Sequence, residues 1–225
     1  MPGSAITDQP PVEPRVQDDW PRTIAVALTG ASGIQYGLRL LQCLIDAGVR
    51  VYLLISQAGQ VVLKMEAGIK VSAQPAEAER FFSQRLGAAP GQLRVFGRQQ
   101  WTAPVASGSH PPEAMVICPC TTGTLASLAA GLSQDLIQRA ADVVLKERRT
   151  LILVLRETPF TAIHLENMLR LARAGAVIMP ANPGFYYQPR TVDELIDFMV
   201  ARVLDHLRVP QNLLPRWGEQ PTNGN

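Results

Sequence analysis

An apolar segment, Ile24 to Leu28, runs directly into Thr29-Gly30-Ala31-Ser32-Gly33-Ile34-Gln35-Tyr36-Gly37, and a second apolar segment with helical spacing runs directly out. A buried strand that turns on glycines into a helix is the opening unit of a doubly wound α/β sheet. Glycines let the backbone turn tightly and approach an anion closely. The free N–H groups and the positive dipole end of the next helix favour negative charge at the same place. Ser32 adds a hydroxyl there. A plain connection that binds nothing would use the same turn, so the ligand has to be read from the rest of the chain.

From Thr23 onward, apolar runs too continuous to have one wet face alternate with helical periodicity. Strands are predicted at Thr23–Leu28, Arg50–Ile55, Ala114–Cys118, Leu151–Leu155 and Ala176–Met179, with a weaker one at Leu93–Phe96. Helices are predicted near Ile34–Ala47, Gln57–Met65, Ala76–Arg85, Thr124–Gly131, Leu136–Glu147, Ala162–Ala174 and Val192–Leu207. That order predicts an α/β fold, a doubly wound parallel sheet with helices on both faces and ligands at the carboxyl ends of the strands. Thr161 reads as one helix cap, and Thr191 with Glu194 three residues later reads as a capping box.

The organisation is one domain, residues 22–208. An N-terminal arm, residues 1–21, is expected to be disordered or loosely docked. A Pro-broken tail, residues 209–225, could dock on its own subunit or on a neighbouring one. With 47% hydrophobic residues the chain can bury one good core. A net charge of +2 leaves no nucleic-acid or anionic-membrane footprint. No apolar run is long enough to span a membrane, and Met1 to Trp20 has no signal-peptide core. Cys43, Cys118 and Cys120 make neither a disulfide framework nor a zinc pattern, which fits a reducing cytoplasm.

Four stretches carry candidate chemistry. Cys118-Pro119-Cys120-Thr121-Thr122-Gly123-Thr124 crowds three hydroxyls onto one helix start, where capping alone needs a single Thr. Its cysteines read as small buried hydrophobes. Arg139 and Lys146, seven residues apart, share a helix face, and Arg202 and Arg156 extend the basic set; a solvated surface face would look the same. Leu155-Arg156-Glu157-Thr158-Pro159 ends a buried strand, where an α/β enzyme keeps working groups. Glu157 there could serve as general acid/base or as half of an exposed ion pair. The Pro/Gly-fixed loop 180–189 could aim Tyr186 and Tyr187 into a site or cover the surface with them. His110, His164 and His206 read as structural or solvated, and neither G-x-S-x-G nor Walker A occurs.

Together, Thr29–Gly37, Glu66, Trp101 with Ala106-Ser107-Gly108-Ser109, Cys118–Thr124, Arg139–Lys146, Arg156–Phe160, Ile163–Met168 and Pro180–Pro189 resemble the UbiX-type flavin prenyltransferase family, over roughly residues 22–217. The resemblance implies a three-layer Rossmann-like or flavodoxin-like subunit that binds FMN and assembles as a homo-oligomer, typically a dodecamer with sites at subunit contacts. It implies transfer of a dimethylallyl group from dimethylallyl monophosphate to reduced FMN, at N5 and then C6. The product, prenylated FMN, would pass to a UbiD-type decarboxylase in ubiquinone biosynthesis or aromatic-acid metabolism.

Residue by residue, the resemblance assigns FMN to Gly30, Ala31, Ser32, Gly33, Ser56, Thr121, Thr122, Gly123, Thr124 and Arg156. It places Ala106, Arg139, Lys146, Glu157, Tyr186 and Arg202 around the prenyl phosphate. Ser32 and Glu157 would relay protons, Glu66 would help order the phosphate site, and Trp101 would offer its π face to the developing allyl cation. Three cations and a tyrosine can stabilise a leaving phosphate without metal, and the only adjacent Asp pair, Asp18-Asp19, lies in the arm, so no metal is expected. Thr121 stands where the family usually has serine, and Leu155 where a proline often precedes Arg-Glu; the second leaves the path of that strand end open.

Three other readings compete. A flavin-dependent cysteine decarboxylase would use an active-site His and an Asn-Met loop, where this chain has Pro180 to Tyr186 and a basic set. A nicotinamide reductase would want an acid after the second strand, where Ser56-Gln57 stands. A non-catalytic FMN carrier would have no need of Arg139, Lys146 and Glu157.

Overall fold

The computed structural model describes residues 20–214. Six strands, β1 (Thr23–Leu28), β2 (Arg50–Ile55), β3 (Leu93–Phe96), β4 (Ala114–Cys120), β5 (Thr150–Leu155) and β6 (Val177–Pro180), form one parallel sheet in the order β3-β2-β1-β4-β5-β6. The strand order reverses between β1 and β4, which opens a crevice at their carboxyl ends. Among the described residues the helices are α1 (Ile34–Asp46), α2 (Gln57–Ala67), α3 (Pro75–Leu86), α4 (Thr122–Ala129), α5 (Leu136–Lys146), α6 (Ala162–Arg173) and α7 (Val192–Leu207). None is long and apolar enough to cross a membrane.

Alternation along the strands builds the three layers. In β1, Ile24, Val26 and Leu28 pack under α1, α3 and α7, while Ala25 and Ala27 face α4, α5 and α6. Small side chains on the second face let those helices approach closely. Cys118 and Cys120 fall into the two opposite cores. Both are buried, and burial pushes both thiols far up, so each behaves as the small hydrophobe the sequence suggested.

Several boundaries shift for local reasons. β4 continues through Pro119 to Cys120, with its register against β5 shifting between Ile117 and Cys120, and α4 therefore starts at Thr122 rather than Thr124. Leu155 continues β5 regularly, paired with Cys120 on one side and Pro180 on the other. Thr161 forms a full capping box, but its reciprocal partner is His164 Nδ1. At α7 only half the predicted box forms: Thr191 accepts from Glu194 N, whereas the Glu194 carboxylate takes the N–H of Arg190. The tail as far as Leu214 contacts the core of its own chain, with Val209 buried and Leu213 packed on it. The remaining tail, and the arm apart from Trp20 and Pro21, lie outside the described residues.

Candidate functional site

At the β1/β4 switch point lies a cleft of about 550 Å³, lined by residues from four strand ends, among them Gly30, Ser56, Arg98, Thr121, Gly123 and Thr124. Two helices begin on it. Ser56 Oγ accepts from Gly59 N at 2.9 Å to cap α2, and Thr121 Oγ1 accepts from Thr124 N at 3.0 Å to cap α4. Each cap takes a later N–H of its first turn. The N–H groups of Gln57, Ala58, Thr122 and Gly123 have no acceptor among the described residues. Among the described residues no carboxylate lines the cleft, so its potential favours an anion. The three threonines divide the work: Thr121 caps, Thr124 Oγ1 pairs with it at 2.8 Å, and Thr122 Oγ1 donates to Glu157 Oε2 at 3.5 Å.

The glycine-rich turn after β1 is organised differently from its sequence expectation. Gly33 is the N-cap of α1, in the left-handed region at φ 97°, and has no side chain to cap with. Glu66, from the end of α2, supplies the missing acceptor: Gly33 N and Ile34 N donate to its Oε2 at 2.9 and 3.1 Å. The anion at this helix start is thus the protein's own carboxylate, and the free backbone donors are those of α2 and α4. Partial burial disfavours the charged form of Glu66. Hydrogen bonds from Ser32, Gly33 and Ile34 and the nearby Arg156 charge outweigh it and hold the carboxyl below its usual range. Arg156 Nε is buried and has no acceptor among the described residues. Its backbone N–H donates to Cys120 O, which sets the residue beside the α4 cap.

Thr29, fully buried, ties the β1 turn to the β4 turn. Its hydroxyl donates to Pro119 O at 2.7 Å and accepts from Thr121 N at 3.0 Å.

The remaining candidates form two other groups. Arg139 Nε donates to Ala106 O at 3.0 Å and its Nη1 pairs with Asp142; Lys146 pairs with Glu147, and both side chains lie against Gly108. These residues and Trp101, 46% exposed, therefore gather along the loop between β3 and β4. Arg202, on α7, pairs with Asp205 at 2.8 Å and lies near Tyr187, whose ring packs at a tilt against those of Tyr186 and Phe198. α5 and α7 cover opposite faces of the sheet, so the basic set read from sequence as one group is split within a single chain.

Residues 13–204 match the family model described as Flavoprotein. The flavin prenyltransferase UbiX of Pseudomonas aeruginosa is 58% identical over 200 residues, covering 89% of this chain and 96% of that one. This chain belongs to the flavin prenyltransferase family. Among solved structures, AnUbiX in complex with FMN and dimethylallyl pyrophosphate superposes with a TM-score of 0.78 at 38% identity, covering 89% of this chain and 99% of that one. The dodecameric FMN-dependent UbiX-like decarboxylase of Escherichia coli gives 0.76 at 37% identity, covering 88% and 100%. The prenyltransferase reading thereby prevails over the cysteine decarboxylase, reductase and carrier alternatives.

The residues fit the flavin that a flavin prenyltransferase works on. An acid-free cleft with free backbone donors suits a phosphate, and the unsatisfied Arg156 Nε offers a charged donor to a polar ring edge. Gly30, Ser56, Thr121, Gly123 and Thr124 line that cleft; Ala31, Ser32 and Gly33 belong to the turn that Glu66 holds at its rim. Sequence reasoning missed Gln57, Ala58, Val61, Arg98, Ser127 and Gln138 in the lining, and gave Thr29 no role beyond its place in the glycine-rich turn. For Gln57 and Ser127 a signal existed, since each occupies an early turn of a helix that opens on the switch point. Arg98 carried none.

Proposed function

We propose that this chain transfers a dimethylallyl group from dimethylallyl monophosphate to reduced FMN, first at N5 and then at C6, and that prenylated FMN passes to a UbiD-type decarboxylase in the cytoplasm. Reduced FMN, when bound, supplies the nucleophilic nitrogen and carbon. Gly30 to Gly33, Ser56, Thr121 to Thr124 and Arg156 hold it. Arg139, Lys146, Arg202 and the Tyr186 hydroxyl take up the charge left on the departing phosphate, the task a metal ion would otherwise perform. Ala106 anchors Arg139 through its carbonyl. Trp101 offers its ring face to the allyl carbon as positive charge develops there. Ser32, bonded to Glu66, and Glu157, bonded to Thr122, are the groups that hold and pass protons.

The observation that carries this reading is Arg156 Nε, a buried cationic nitrogen without an acceptor among the described residues, beside the Ser32–Glu66 pair. Buried polar groups are usually satisfied within a fold, so an open charged donor next to the Ser32–Glu66 pair supports a partner that is not part of the chain. Because α5 and α7 lie on opposite sheet faces, Arg139 and Lys146 of one subunit meet Tyr186 and Arg202 of others in a homododecamer. The test is anaerobic incubation with reduced FMN and dimethylallyl monophosphate, with the diphosphate in parallel, followed by mass analysis of the extracted flavin. Gain of one C5H8 unit from the monophosphate, with release of inorganic phosphate and persisting in EDTA, is expected. Unchanged FMN overturns the proposal.

A further inference from the structure

We propose that Arg98 is the charge partner of the flavin's terminal phosphate and sets the preference of this chain for FMN over riboflavin; the assignment rests on the flavin reading above. Among the described residues, Arg98 is the one cation in the cleft lining and none of the lining residues is an acid. Among the described residues it forms no ion pair, whereas Arg139, Lys146 and Arg202 each carry a carboxylate partner.

Its loop is held at both flanks. Leu136 N, at the start of α5, donates to Arg98 O at 2.8 Å, and Gly97 N donates to Gln100 Oε1 at 3.1 Å. From that fixed backbone the guanidinium reaches the start of α2, where Nη1 donates to Gln57 Oε1 at 3.3 Å. Gln57 is the first residue of α2, so its side chain holds the guanidinium beside a helix start whose Gln57 and Ala58 N–H groups have no acceptor among the described residues. The first-turn N–H groups of Thr122 and Gly123 in α4 are likewise free. A phosphate dianion has three terminal oxygens and needs more donors than one helix start provides. Two helix starts and one guanidinium supply both the donors and a formal charge. Gln57 holds the guanidinium at the rim with a neutral acceptor, which an incoming phosphate outcompetes.

Neutral riboflavin would use the same cleft without needing Arg98, which makes the two flavins a matched pair of probes. Dissociation constants for FMN and riboflavin are measured by flavin fluorescence on the flavin-stripped full chain, for wild type, Arg98→Met and Arg98→Lys. Arg98→Met is expected to weaken FMN by about tenfold, leave riboflavin within about twofold, and flatten the salt dependence of FMN binding. Arg98→Lys is expected to lie between, because it keeps the charge and loses the fork. FMN affinity unchanged in Arg98→Met, or equal losses for both flavins, overturns the assignment while leaving the prenyl-transfer assay untouched. A wild-type chain that binds neither flavin overturns the flavin reading and this assignment with it.

Discussion

The Glu66 carboxylate accepts the backbone N–H of Gly33 at 2.9 Å across a separation of 33 residues, and so caps a helix whose own N-cap has no side chain. Gly33 suits the left-handed turn, and glycine has no side chain to accept a cap hydrogen bond. Glu66 resolves that conflict from the far end of α2. The same carboxylate holds Ser32, so the helix cap and a candidate proton-handling hydroxyl share one anion.

Replacing Glu66 with Gln keeps an acceptor and removes the charge. Glu66 binds its proton less readily folded than unfolded. Its contribution is therefore complete above its ordinary value of 4.5 and is lost as pH falls through the lower folded value. Glu66→Gln should lower stability by up to about 1 kcal/mol near neutral pH, a figure reduced for the exposure of this side chain. Urea midpoints of the two proteins should converge on acidification. A gap that does not change with pH would show that the charge contributes nothing.

Thr29 gives a sharper stability test, because its hydroxyl is buried and satisfies a carbonyl and an N–H at once. Thr29→Val keeps the shape and strands both groups, at a cost of about 2–4 kcal/mol. Thr29→Ser keeps both bonds and loses only a methyl, about 1 kcal/mol. Because the N–H belongs to Thr121, Thr29→Val should also weaken FMN binding more than Thr29→Ser does. Chemical denaturation and flavin titration read the two effects separately, and equal behaviour of the two variants would rule out the hydroxyl's role.

These cases mark what local sequence could convey. Strand and helix positions were legible within one or two residues, because continuous apolar runs and glycine turns leave few alternatives in an α/β chain. The switch-point cleft was legible for the same reason: topology alone puts Gly30, Ser56 and Thr121 together. What local pattern cannot hold is a partnership across distance. Thr29 meets Pro119 across 90 residues, and Glu66 meets Gly33 across 33. The resemblance pointed to Glu66 without revealing that it caps α1. Arg98 follows a short edge strand in a polar loop, where nothing nearby distinguishes it from a surface arginine. The basic set meets the same limit, since shared charge says nothing about which sheet face a helix covers.

Gly123 separates fold from ligand. A Cβ there meets nothing nearer than 3.9 Å, so Gly123→Ala fits the first turn of α4. Helix propensity should then stabilise the flavin-free protein by about 0.5–1 kcal/mol. The added methyl stands in the cleft, however, and should weaken FMN binding by about tenfold through lost close approach to the backbone. Thermal melts and flavin titrations of the stripped protein check both halves. A variant that gains stability and keeps its FMN affinity would remove Gly123 from the site.

The split basic set makes a prediction about assembly. Lys146 lies on α5 and Arg202 on α7, on opposite faces of one sheet. If each phosphate site draws Lys146 from one subunit and Arg202 from another, Lys146→Ala and Arg202→Ala oligomers should each lose most activity. Oligomers co-assembled from equal amounts of both should regain about a quarter of the wild-type sites, the fraction in which both positions are intact by chance. Coexpression with two affinity tags, tandem purification and the prenylation assay provide the measurement. Recovery requires that the two residues come from different chains, because no chain in the mixture carries both. Mixed oligomers as inactive as the parents would place Lys146 and Arg202 of the same subunit in one site.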